Sequence, residues 1–129
     1  MSGTTQSLAD ILREDPRYAV EAYEFVYEAI EFTKRQLIAR DPSLRRSPHI
    51  TPRQLIEGVR DLALERFGYL AADVLRRWGI RTSGDVGEII FNLVATGDVE
   101  LGPGERREDF EGVCDYEEEL TRHFRISTG

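Results

Sequence analysis

The chain has 129 residues with 24 acidic and 17 basic side chains, a net charge of −7 at neutral pH, and its hydrophobic share of 40% suits one folded domain. No apolar run approaches the roughly 20 residues of a membrane span, and the start, MSGTTQSLAD, lacks the basic and apolar stretches of a secretory signal. The single cysteine, Cys114, excludes an internal disulfide, and these features together point to the cytoplasm and to no membrane partner.

Residues 1–7 are expected to be a flexible tail. Ser7 followed by Asp10 has the spacing of a capping box and predicts a short helix over about 8–14, ending before Pro16. Residues 17–40, without glycine or proline, predict the longest helix. Its acidic residues precede its basic ones, as the helix dipole favours. Glu21, Glu24, Glu28, Glu31 and Arg35 form one narrow polar stripe, so most of this helix is expected to be buried. Surplus apolar surface there is read first as core and second as a face for a homodimer.

The stretch DPSLRRSPHI (41–50) is a proline loop, and HIT (49–51) is expected to be a short strand. Thr51 and Gln54 form a capping box with Pro52 at the first helical position. Helices are predicted over about 52–66, 69–78 and 84–96, broken by Gly68, Gly79 and Gly97, with Ser83 capping the last. DVEL (98–101) and FEGVCDY (110–116) then alternate as strands do, joined by turn residues, and predict a β-hairpin. The tail 121–129 is expected to be flexible. The expected fold is α+β and mainly helical: one compact domain over 8–120 with a C-terminal β-hairpin, winged-helix-like in its order of elements.

The chemistry-bearing motifs are absent. There is no GxxxxGK[ST], GxGxxG, HExxH, CxxC or GxSxG. His49 and His123 lie far apart without neighbouring partners in sequence and are read as surface or helix-end residues. Cys114 beside Val113 is read as a small buried residue rather than a nucleophile. No EF-hand spacing is present. The expectation is therefore a protein that is not an enzyme, with no cofactor and no metal.

Charge is unevenly distributed. Residues 1–83 carry 13 basic and 12 acidic side chains, whereas residues 84–129 carry four basic and 12 acidic. The first functional reading follows from the acidic end: a protein-interaction or regulatory domain that docks an unidentified basic protein partner. Its surface would consist of Glu105, Glu108, Asp109, Phe110, Glu111, Asp115, Tyr116, Glu117, Glu118 and Glu119. The second is a winged-helix-like nucleic-acid-associated protein using Arg40, Arg45, Arg46, Arg53, Arg60, Arg76, Arg77 and Arg81 to hold phosphates. Against it, the helix that would read bases offers only Asn92, with Asp85 and Glu88 at its start facing the phosphates.

The stretches DPRYAVEAYEFVYEAIEFT (15–33), HITPRQLIEGVRDLALERFG (49–68), WGIRTSGDVGEIIFNLV (78–94) and REDFEGVCDY (107–116) carry a further likeness. Together they resemble the Minf-type family of short bacterial proteins, whose activity is unassigned. The resemblance implies one compact domain of bacterial source and brings no ligand or catalytic residue. Where it leads one to expect Phe in GDVGE, this chain has Val86.

Overall fold

Local capping signals set the helix starts. The computed structural model describes residues 6–102 and 104–128, and beyond Arg122 only the backbone path. The Ser7 hydroxyl accepts from the Asp10 N–H and starts α1 (Leu8–Glu14). After Pro16 the chain enters α2 (Val20–Arg40), followed by a 3-10 turn (Pro42–Arg46) that the Asp41 side chain caps. Thr51 and Gln54 close the reciprocal capping box that begins α3 (Pro52–Phe67), at 3.1 and 2.8 Å. A second 3-10 turn (Gly68–Leu70) leads into α4 (Ala71–Trp78). Gly79 ends α4 at φ +97°, a conformation that costs a side chain but not glycine. Then come α5 (Ser83–Thr96), a third 3-10 turn (Arg107–Phe110) and α6 (Tyr116–Thr128).

Helix α2 is the axis of the molecule and packs against α3, α4 and α5. It buries Ala22, Tyr23, Phe25, Val26, Ala29, Ile30, Phe32 and Thr33 within its own chain, leaving Val20 and Tyr27 partly exposed. It meets α3 closely at Gly58, where a Cβ would lie 1.9 Å from Thr33 Oγ1. Phe25, Phe67 and Trp78 join α2, α3 and α4, with ring centroids 5.5 to 5.8 Å apart.

The expected α+β, winged-helix-like architecture is corrected: every regular element among the described residues is helical, and no strand forms at HIT, DVEL or FEGVCDY. The reason lies in three long-range attachments. Phe110 is 2% exposed and sits on Gly87 of α5, where a Cβ would fall 2.6 Å from the Phe110 Cβ. The segment after it turns at Gly112 (φ +70°) and runs back along the start of α5, not along residues 98–101. It makes one isolated antiparallel bridge, Thr82 to Asp115, while Ser83 N–H donates to the Cys114 carbonyl and Tyr116 N–H to that of Arg81. The Ser83 hydroxyl, expected as a cap, is fully buried and accepts from the Val113 and Cys114 amides at 3.0 and 3.2 Å. The N-cap of α5 is Thr82 instead.

Asp115 then caps α6, accepting from the Glu118 amide, and Glu117, Glu118 and Glu119 lie in the first turn, where the helix dipole favours acids. The expected tail boundary at residue 121 falls inside this helix, which runs to Thr128. The expected tail at 1–7 lies largely outside the described residues, although Gln6 N–H donates to the Ala95 carbonyl.

Candidate functional site

A cleft of about 350 Å³ opens between the C-terminal half of α2, the residues leading into α3, and the 98–105 segment. Ile30, Leu55, Ile90 and Phe110, all buried, form its floor. Glu31, Asp98, Glu100 and Glu105 bring four carboxylates to it, against Lys34 and the His49 imidazole. The capping box at Thr51 fixes where α3 begins and so holds Pro48–Pro52 as one wall.

Glu105 is the inward carboxylate. Its side chain is 15% exposed, whereas that of His49 is 59% exposed. Glu105 Oε1 accepts from the Gly102 amide at 3.3 Å. Glu105 Oε2 is buried and accepts no hydrogen bond; His49 Nε2 lies 3.3 Å away, at ion-pair distance but without hydrogen-bond geometry. Gly102 makes this approach possible, since a Cβ there would lie 2.4 Å from His49 Cε1 and 2.9 Å from Glu105 Oε2. Sequence reading set His49 aside as a residue without a partner. No signal in the sequence links it to Glu105, which lies on a distant loop.

The ten residues of the expected acidic docking surface do not form one face. Phe110 and Tyr116 are core residues, 2% and 1% exposed, and the Tyr116 hydroxyl donates to the Ile56 carbonyl at 2.7 Å. Apolar surface was expected of both at a docking face, but burial against α5 and α3 takes them inside. Asp115 is committed to capping α6. Glu117, Glu118 and Glu119 are held by Arg76 (3.6 Å), Arg122 (3.1 Å) and Arg60 (3.0 Å). Glu108, Asp109 and Glu111 remain exposed around the third 3-10 turn, where Asp109 accepts from the Arg106 amide. Among the described residues, Glu108 and Glu111 have no cation within ion-pair distance.

The eight arginines divide as well. Arg40, Arg45, Arg46 and Arg53 are exposed at the end of α2, on the first 3-10 turn and at the start of α3, with no ion pair among the described residues. Arg76, Arg77 and Arg81 lie toward the opposite end of α2, where the Ala19 amide donates to the Trp78 carbonyl. Arg60 pairs with Asp61 and Glu119, and Arg76 with Asp73 and Glu117. Asn92, the one base-reading candidate of α5, points inward: its amide donates to Asp15 Oδ2 at 3.1 Å and to the Tyr23 hydroxyl at 2.9 Å. Arg107 folds back on α5, 3.4 Å from Glu88 and over the Phe91 ring.

The perturbed titrating groups lie outside the cleft. Arg17, bonded to Asp15 at 2.8 and 2.7 Å, holds that carboxyl well below the usual aspartate range. Burial, then the Asp85 carboxylate, pushes the Tyr18 phenol up, and burial pushes the Tyr116 phenol up as well. Burial, reinforced by Glu119, pushes the Cys114 thiol up to about 11. Among the described residues no group of three or more His, Cys, Asp or Glu is arranged to hold a metal ion, and no helix is long and apolar enough to cross a membrane. The side chain of His123 lies outside the described residues.

Fold and site together define a domain that is all-helical among the described residues and carries a carboxylate-lined cleft. Compared with family models, with curated proteins and with solved structures, the chain matches none.

Proposed function

We propose that the chain is a non-enzymatic interaction domain that docks a basic protein partner through its 98–111 segment. The observation that supports this reading is the contrast in how the acids are used. Those on α6 are matched by arginines of the same chain, whereas Glu108 and Glu111, on and after the third 3-10 turn, have no cation within ion-pair distance among the described residues. Unmatched surface charge repels itself and is relieved by a partner of opposite sign, which it also steers into encounter. The reading places the protein in the cytoplasm, where a lone thiol such as Cys114 stays reduced. The likeness to the Minf-type family adds no activity to it. The test is affinity capture from native lysate with and without nuclease, comparing wild type with Glu108→Lys plus Glu111→Lys. Partners that survive nuclease and are lost in the variant agree with the reading; capture unchanged by the double reversal refutes it.

A second reading rests on Arg40, Arg45, Arg46 and Arg53, exposed and without an ion pair among the described residues: they hold the phosphates of a nucleic acid. Partners lost on nuclease treatment favour it over the first.

A further inference from the structure

We infer that the cleft is the seat for a single arginine side chain carried by the basic partner. The inference rests on the docking reading and names what that partner must present. Three observations converge. The first is charge: Glu31, Asp98, Glu100 and Glu105 outnumber Lys34 and His49, so a cation is the complementary occupant. The second is Glu105 Oε2, a buried carboxylate oxygen that accepts no hydrogen bond. Such an atom is costly unless a donor reaches it, and the exposed His49 approaches it without hydrogen-bond geometry. The third is shape: about 350 Å³ above a buried apolar floor receives a long aliphatic stem ending in a charged head.

Arginine fits these demands better than lysine. A guanidinium offers donors in a flat fork matched to a carboxylate, and it gives up water more readily than an ammonium does. The half-exposed Tyr27 at the cleft wall offers an aromatic face of the kind a guanidinium favours. His49 then acts as a displaceable neighbour, since it is exposed and can swing aside.

The test titrates the full chain, isotopically labelled, with a short Gly/Ser peptide bearing one central arginine, and with its lysine and citrulline counterparts. The arginine peptide is expected to shift the amides of residues 27–34, 49–51, 98–102, 104 and 105, with the lysine peptide weaker. The citrulline peptide, equal in shape but uncharged, is expected to leave them in place. Glu105→Gln is expected to weaken arginine-peptide binding by about tenfold or more. Gly102→Ala, whose Cβ would press on the His49 ring and the Glu105 carboxyl, is expected to weaken it at unchanged net charge. Equal binding of the citrulline peptide, shifts confined to other residues, an unaffected Glu105→Gln variant, or no shifts at millimolar peptide would each overturn the inference. The two readings fail separately. If Glu105→Gln changes nothing while Glu108→Lys plus Glu111→Lys abolishes partner capture, docking stands and the arginine seat falls. If the peptide binds as expected while partner capture ignores the double reversal, the seat stands and the docking face is elsewhere.

Discussion

Asp15 joins three parts of the chain. It accepts from Arg17 twice and from Asn92, which also donates to Tyr23, so one side chain ties the α1–α2 connection to α5. Because Arg17 holds its folded-state pKa below the unfolded value, about 3.9, the stability it contributes is present above that value. It is lost as pH falls through the lower folded value. Asp15→Asn is therefore expected to cost about 1–2 kcal/mol at neutral pH, with the gap to wild type closing in strong acid. Denaturant unfolding of both proteins across pH measures this, and a gap that persists in acid contradicts the assignment. Cys114 gives a second residue-scale prediction. With its thiol pushed up to about 11, little thiolate exists near neutral pH. Alkylation of the folded chain at mildly alkaline pH should be slower than that of a free-cysteine peptide by on the order of a hundredfold. A comparable rate would mean that the thiol is neither buried nor facing Glu119.

Between elements, Thr33 of α2 packs tightly on Gly58 of α3. In an isolated helix, Gly→Ala gains about 1 kcal/mol. Here the new Cβ would lie 1.9 Å from Thr33 Oγ1, so Gly58→Ala is expected to destabilise by about 1–3 kcal/mol. Adding Thr33→Ala removes the obstructing hydroxyl and should recover part of the loss, giving a coupled double-mutant cycle in chemical unfolding. Additive changes would show that the helices do not meet at this pair. The same scale separates what the sequence discloses from what it hides. Helix starts at Ser7 and Thr51 and ends at Gly79 and Gly97 were legible because a cap is decided within four residues. The Asp115-to-Glu118 cap of α6 was equally local, but it was overlooked because its acids were read as a surface. The hairpin was misread for a different reason. Period-two alternation at 110–116 cannot reveal that Phe110 is drawn onto Gly87, or that Ser83 takes the amides of Val113 and Cys114. Of the cleft, Glu105 was legible as an acidic surface residue. Its meeting with His49 depends on the packing of two distant loops.

At the scale of the whole molecule, basic residues lie toward both ends of α2, and the carboxylate-lined cleft opens beside its C-terminal half. Lys34, Arg35, Arg40, Arg45, Arg46 and Arg53 gather around one end with only Asp41 of opposite sign between residues 34 and 53. Arg76, Arg77 and Arg81 lie toward the other end. An α-helix rises about 1.5 Å per residue, which makes α2 roughly 30 Å long. A duplex laid on one end therefore meets about four of the eight arginines, and Arg60 and Arg76 are already paired with acids. Counterion release turns this into a number. Each phosphate contact contributes about −0.9 to the slope of log K against log salt, so four arginines give a slope no steeper than about −4 and all eight about −7. Any duplex binding at low salt is thus expected to show the shallower slope, to vanish in Arg45→Glu plus Arg46→Glu, and to persist in Arg76→Glu plus Arg77→Glu. A slope near −7, or loss of binding in the second variant, would mean that both ends engage nucleic acid at once.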